Sequence, residues 1–434
     1  MRNIFGGFVL VLQVLEYQCQ INVNVSVNVG LGFSITEYIS NLGYPVEEHV
    51  NIETEDGYLL DMQRIPRGRD DEDTTEKRPV VLLMHGVLGS AENWIVLGAK
   101  KGLPFLLADQ GYDVWMGNAR GTLHSRKHTH LKPDGDDRFW QFSWHEIGVY
   151  DLPAKIDYIL EETNQTQLYY VGHSQGTTAF FVMASERPEY NQNIKLMMAL
   201  APVAFMSNFP HPAIQVLARF ERGLTALTGI IGLNEFLPTN NILSLAGQAL
   251  CQERAVIQEL CANILFLIAG YDSEQLDRAT LPILLATSPA GSSMKQFSHY
   301  GQEISTDNIF NTACKMFNKG IVEPIFRMFA GSCRISPGKF QQFDYGYLEN
   351  LERYGQTEPP QYDLSKVTAP VALFYANNDW LVSEKDVEHL AALLPNVVLK
   401  YLVPLQSFNH LDFILAKDIV PLVYSKMFEL MKKQ

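Results

Sequence analysis

The passage from Gln167 to Arg187 constrains this chain more than any other. An apolar run (Gln167 to Val171, QLYYV) meets the turn Gly172-His173-Ser174-Gln175-Gly176, and a helix-like stretch from Thr177 to Arg187 follows at once. A buried strand that reverses into a helix within five residues leaves little room at the turn. Glycines on both sides remove the side chains that would collide there, and the central serine is lifted clear of the backbone. The unit makes sense only inside a sheet that buries the strand and leaves the turn at its edge.

The same rhythm recurs along the chain. Short apolar runs occupy Pro79 to Met84, Gly111 to Met116, Lys195 to Leu200, Val371 to Tyr375 and Val397 to Leu402. Helix-like stretches, such as Gly148 to Thr163, lie between several of them. Short buried strands alternating with helices predict an α/β fold with a mostly parallel sheet and helices on both faces. Glu47 to Ile65 alternates apolar and polar residues around Asp56-Gly57, which reads as a hairpin. Arg67 to Lys77 is charged and reads as a surface loop. From Val203 to Tyr362 the strand signals stop and helical apolar spacing takes over, as in Ile214 to Phe220 and Val256 to Ile268. That stretch reads as a helical insertion between two strands. The sheet-bearing parts are then 37–202 and 363–434, separated by 203–362.

The chain has 434 residues, 47% hydrophobic and 19% charged, so a large core is affordable and disorder is disfavoured. A formal net charge of −14 argues against a nucleic-acid partner, which needs clustered Lys and Arg to neutralise phosphate. Residues 1–20 read as an export signal: Arg2 is followed by an apolar run from Ile4 to Leu15, shorter than the ~20 residues that span a bilayer. A buried helix is the alternative, which Gly6-Gly7 suits poorly. Tyr17, Gln18, Cys19 and Gln20 offer no clean small-x-small cleavage site. No later segment is long and apolar enough to be a transmembrane helix. Export gives meaning to the sequons Asn24-Val25-Ser26 and Asn164-Gln165-Thr166. It also lets Cys251, Cys261, Cys314 and Cys333 pair in an oxidising compartment once Cys19 has left with the signal.

A glycine-flanked serine at such a turn matches the nucleophile elbow of α/β-hydrolases. A serine hydroxyl is a poor nucleophile at neutral pH, so a base must take its proton. In this fold the chain order is serine, then acid, then histidine. Asp379 closes the run that starts at Val371 and is the candidate acid. Only His389 and His410 come later. His389 lies in the helix-like stretch Ser383 to Leu394 and reads as a surface histidine. His410 lies in a loop, within Asn409-His410-Leu411-Asp412, and is the candidate base. Asp412 reads as a loop anchor. The oxyanion of a tetrahedral intermediate needs backbone donors. Those expected are the N–H of Gln175, next to the nucleophile, and the N–H of Val87 in the loop His85-Gly86-Val87. His124, His128 and His130 with Asp134 suggest zinc, but Arg126 and Lys127 among them repel a cation. A structural role is expected for the cluster, with no metal and no cofactor.

With these residues in hand, the chain resembles the acid lipase family of gastric and lysosomal lipases, including its insect members. The resemblance runs from about Glu37 to the end. It rests on Gly43-Tyr44-Pro45-Val46-Glu47-Glu48-His49, Asp56-Gly57-Tyr58, Asp113 through Gly121, Phe142-Ser143-Trp144, Tyr150-Asp151-Leu152-Pro153-Ala154, the Ser174 turn and Asn409-His410-Leu411-Asp412-Phe413. It implies an α/β-hydrolase core with the triad Ser174, Asp379 and His410 and with oxyanion donors at Val87, where the family usually has Leu, and Gln175. It implies a cap and lid within 203–362 and a cap disulfide between Cys251 and Cys261, with one extra residue between them. The implied substrates are triacylglycerols or cholesteryl esters met at a lipid–water interface, with transient contact to a membrane or droplet surface. A secreted enzyme is expected, or a lysosomal one. One departure stands out. The family runs almost directly from a segment like Tyr300-Gly301-Gln302-Glu303 into one like Gly338-Lys339-Phe340, whereas here 306–337 intervenes. That piece is a lineage-specific loop or translated intron, and it is expected to be dispensable. The other readings are an esterase of small soluble esters and a non-catalytic lipid-binding relative. The apolar insertion favours the lipase, and the presence of both Ser174 and His410 disfavours the non-catalytic relative.

Overall fold

The strands follow from the apolar runs. In the computed structural model of the chain, β1 (Glu47–Glu53), β2 (Tyr58–Ile65), β3 (Val80–Met84), β4 (Asp113–Gly117), β5 (Lys127–His128), β6 (Leu168–His173), β7 (Ile194–Leu200), β10 (Val371–Tyr375) and β11 (Val397–Leu402) form one sheet. A separate ribbon pairs β8 (Glu235–Phe236) with β9 (Ser292–Ser293). The described residues are 33–72, 77–211, 214, 234–236, 269–304 and 338–433. The export segment 1–20, Asn24, Cys251, Cys261, the extra piece 306–337 and the expected helix from Val256 to Ile268 lie outside them.

The sheet order is β1-β2-β4-β3-β6-β7-β10-β11, with β5 added on β2. From β4 through β11 every pairing is parallel, and the hairpin of β1 and β2 joins antiparallel. Every residue of β3, β4, β6 and β10 is buried, which is why these segments read as unbroken apolar runs. Leu82, Trp115, Tyr170, Met197 and Phe374 have no exposed surface, and burying side chains of this size contributes about 1.5–3 kcal/mol each. Helices cover the sheet: α1 (Leu152–Thr163), entered through a π-helical turn at Ile147–Asp151, α2 (Gln175–Glu186), and α4 (Glu384–Leu393) further along the chain.

The parallel registers fix where the site falls. Met84 stands opposite Gly172, His173 opposite Leu200, and Leu200 opposite Phe374. The loops after β3, β6 and β10 therefore leave at one edge, the carboxyl edge where open parallel sheets place their ligands.

Beyond β7 the chain leaves the sheet and returns at β10. Within the insertion, α3 (Met294–Ile304) docks on the core: the Tyr300 hydroxyl lies 3.2 Å from Thr178 Oγ1 of α2, and His299 stacks on Trp144 at 3.8 Å. The β8–β9 ribbon also lies there. Two residues per strand leave no alternation for a sequence to display, so the ribbon is absent from the sequence pattern.

The hairpin is clamped by one buried cation. Arg120 has no exposed side-chain surface and gives two hydrogen bonds to Asp56, at 2.5 and 2.8 Å. It gives two more to Asp151, from Nε at 2.6 Å and from its backbone N–H at 2.9 Å. Its guanidinium lies 4.0 Å over the Tyr58 ring. Charge, hydrogen bonds and aromatic contact offset the cost of removing the ion from water.

Candidate active site

Ser174 sits between β6 and α2 with φ 52° and ψ −118°, a conformation costly for a residue with a Cβ. Several contacts hold it there. Its N–H donates to Leu200 O at 3.0 Å, and its carbonyl accepts from Thr177 Oγ1 at 2.6 Å. The Tyr170 hydroxyl donates to Gly176 O at 2.7 Å from beneath the turn. The two glycines have the steric role expected of them. A Cβ at Gly172 would lie 2.7 Å from the Gly176 carbonyl carbon, and one at Gly176 would press on the Met84 carbonyl group.

Asp379 and His410 meet beside this turn, both buried. His410 Nδ1 donates to Asp379 Oδ2 at 2.8 Å. The other carboxylate oxygen of Asp379 accepts from the N–H groups of Leu381 and Val382, each at 2.8 Å. The acid is thus immobilised by its own loop. Because Asp379 can only accept, the proton of neutral His410 resides on Nδ1 and Nε2 carries the free lone pair. Among the described residues no hydrogen bond joins the Ser174 hydroxyl to His410. The link between the two loops runs through His173, whose Nε2 donates to the His410 carbonyl at 3.0 Å.

The loop after β3 closes the third side. His85 Nδ1 donates to Gly86 O at 2.8 Å, and His85 Nε2 accepts from Ala119 N–H at 3.1 Å. Burial lowers the His85 pKa to about 4, so the ring stays neutral with one fixed tautomer. Gly89 N–H bonds to Gly86 O at 3.1 Å, and Leu88 has φ 60°. In such a turn the N–H of the second residue, here Val87, takes no part in the turn's own bond. Gly86 packs so close to the elbow that a Cβ on it would lie 3.1 Å from Ser174 Cβ. Gln175 N–H opens α2, where first-turn donors have no partner inside the helix. Both expected oxyanion donors therefore lie in segments next to Ser174.

The remaining candidates fall elsewhere. His389 is exposed on α4 and packs edge-on against Phe205 at 4.4 Å. In the histidine cluster, His124 pairs with the buried Glu92, and His128 Nε2 donates to Asp56 O at 3.0 Å. Arg126 bonds both Asp134 and Glu235. These rings serve neighbouring loops. Asp412 anchors its loop by accepting from Asn409 N–H at 2.7 Å. No signal in the sequence marked the contact of His173 with the His410 loop, because His173 occupies a variable position of the five-residue pattern.

A strained serine at a strand-to-helix turn, beside a buried Asp–His pair at the carboxyl edge of a parallel sheet, is the arrangement of the α/β-hydrolase class. The comparisons agree. A profile for the α/β hydrolase fold matches residues 79–416, and one for the partial α/β-hydrolase lipase region matches 35–98. Lipase 3 of Drosophila melanogaster is 42% identical over 396 residues, covering 91% of this chain and 92% of that protein. Gastric triacylglycerol lipase of Bos taurus is 38% identical over 92% of this chain and 91% of its own length. The human lysosomal acid lipase/cholesteryl ester hydrolase is 36% identical over the whole of both chains. A solved structure of a candidate lipase from Sulfolobus solfataricus has a TM-score of 0.53 at 16% identity, over 90% of this chain and 93% of that one, a likeness of fold. The chain belongs to the acid lipase family and is a carboxylic ester hydrolase.

Proposed function

We propose that this lipase hydrolyses neutral lipid esters, triacylglycerols or cholesteryl esters, through an acyl-enzyme on Ser174. The Asp379–His410 bond at 2.8 Å, held next to the Ser174 elbow, is the observation that carries the reading. The Ser174 hydroxyl turns toward His410 Nε2 as substrate binds, and its oxygen attacks the ester carbon while Nε2 takes the proton. Asp379 holds the tautomer and stabilises the imidazolium. The new oxyanion lies between Val87 N–H and Gln175 N–H. Collapse breaks the ester C–O bond, and His410 returns the proton to the departing alcohol. Water, activated by the same imidazole, then cleaves the acyl-enzyme. No step calls on a metal or cofactor.

The insertion 203–362 serves as cap and lid over the acyl chain, and the Cys251–Cys261 disulfide pins part of it. The docking of α3 on α2 supports a cover close to the nucleophile. The enzyme enters the secretory pathway, is released or sent to lysosomes, and is glycosylated at Asn24 and Asn164. Asn164 is exposed in a left-handed turn at the end of α1, open to a glycosyltransferase. Among the described residues no helix is long and apolar enough to cross a membrane. Contact with a membrane or droplet surface is transient in this reading.

Two measurements test the reading. A fluorophosphonate probe labels Ser174, and Ser174→Ala loses on the order of 10⁶ in kcat. Labelling that survives Ser174→Ala refutes the nucleophile. Triolein, cholesteryl oleate and p-nitrophenyl butyrate compared across pH identify the substrate class, and turnover of the soluble ester alone refutes the lipid reading.

A further inference from the structure

His173 precedes the nucleophile, and nothing in the chemistry above uses its ring. It is nevertheless buried, its centroid is 5.0 Å from that of His410, and its Nε2 lies 3.0 Å from the His410 carbonyl oxygen. A carbonyl can only accept, so Nε2 carries the proton. This is the one hydrogen bond among the described residues between the loop that carries His410 and the turn that carries Ser174. The other anchor on the His410 main chain is longer: its N–H reaches Ala269 O at 3.4 Å. On its other side the ring meets the β3 loop, where a Cβ on Gly86 would lie 3.2 Å from His173 Nδ1. One imidazole therefore touches the segments that carry the base and the oxyanion donor while being bonded in sequence to the nucleophile.

We propose that His173 is a positioning residue: its Nε2–H holds the His410 main chain, and so sets where the His410 ring stands relative to Ser174. This rests on His410 being the base. The Asp379 bond holds one side of that ring, and Ala269 O and Gly270 O hold the loop from a second side. Among the described residues only the His173 bond ties it to the turn that carries Ser174, and a shift of about 1 Å at reacting groups can cost about 100-fold in rate. Burial, with the neighbouring His410 adding to it, holds the His173 pKa down to about 3. The ring is thus neutral wherever the enzyme works and places no cation beside the imidazolium that forms on His410.

The test compares His173→Leu with His173→Gln in the full-length protein. Leu approximates the volume and offers no donor, whereas the Gln amide nitrogen reaches about where Nε2 stands. The readouts are kcat and KM on p-nitrophenyl butyrate, the fluorophosphonate labelling rate, and the melting temperature. In the Leu variant, kcat and labelling fall about 10- to 100-fold with KM and melting temperature little changed, and Gln restores most of the loss. A folded Leu variant with wild-type kcat overturns the proposal, as does a Gln variant as slow as Leu. If Leu fails to fold, Gln is set against the shorter Asn, and equal rates in those two overturn it. His410→Ala is the control. An active His410→Ala enzyme refutes the base itself, whereas an inactive one beside an unimpaired His173→Leu refutes only the positioning.

Discussion

Behind the base lies a second pair of carboxyl groups, and it makes stability depend on pH in a definite direction. Asp412 and Asp272 are both 2% exposed. Asp272 Oδ1 accepts from the N–H groups of Glu274 and Gln275, while its buried Oδ2 has no N–H donor among the described residues. Two adjoining carboxylates cannot both be charged in such a place. Burial, then the negative charges of Asp272 and Asp379, push the Asp412 pKa from 3.8 up to about 8 against the opposing Asn409 N–H bond. The protonated Asp412 hydroxyl supplies the donor that Asp272 lacks. In the unfolded chain Asp412 titrates near its ordinary value, so between the two values the folded state binds the extra proton. Its contribution is complete below about pH 4 and is lost as pH rises toward 8. At about 1.36 kcal/mol per pH unit the full span is on the order of 5 kcal/mol. Asp412→Asn removes the titration yet keeps both contacts, since the amide oxygen accepts from Asn409 and the amide nitrogen donates to Asp272. We expect urea unfolding midpoints at pH 4.5, 6 and 8 to fall steadily in the wild type and much less in Asp412→Asn. Parallel pH dependences in the two proteins would refute the shared proton.

Two further outcomes follow from the geometry. Asp379→Asn should leave the fold intact and lower kcat by about 10⁴ through the wrong His410 tautomer, while His389→Ala, on the exposed face of α4, leaves kcat unchanged; steady-state kinetics of both variants decide whether the base was chosen correctly. Arg120→Leu removes the hydrogen bonds from the Arg120 side chain to buried Asp151 and to Asp56, leaving only the more distant charge of Lys155 near Asp151, and should cost about 3–5 kcal/mol, read as a drop in the urea midpoint, whereas a loss under 1 kcal/mol would mean that the clamp contributes little.

Much of this fold was legible because its central strands are buried on both faces. The run at Val371–Tyr375 became a strand with those bounds, as did the half-exposed edge strand Val397–Leu402, and the others differ by one to three residues at their ends. Asp379 was legible for the same reason: it ends the loop leaving a buried strand at the carboxyl edge. What stayed hidden is what has no period. β5 and β8 are two residues long, and the π-helical turn before α1 shares its apolar spacing with an ordinary helix. His173 occupies a position that the serine pattern leaves open, and its partner lies 237 residues away. The Asp272–Asp412 pair joins segments that no local signal relates.

The placement of Asp272 also changes how the insertion is understood. By sequence it belongs to 203–362, the helical insertion set apart from the sheet. Yet residues 269–272 run between the acid loop and the base loop. Ala269 O accepts from Trp380 N–H at 3.2 Å and from His410 N–H at 3.4 Å. Gly270 O accepts from the Asn409 side chain and Tyr271 O from the Asn378 side chain, each at 2.9 Å. A segment in the middle of the insertion thus supplies backbone acceptors to residues next to Asp379 and to His410 itself. Helical periodicity could announce an insertion but not this use of it, because carbonyl groups carry no side-chain signature. Substitutions near 269–272 should therefore act on the Asp379–His410 geometry, as well as on any cover of the substrate that the proposed cap provides, and the two effects separate by whether fluorophosphonate labelling falls along with lipid turnover.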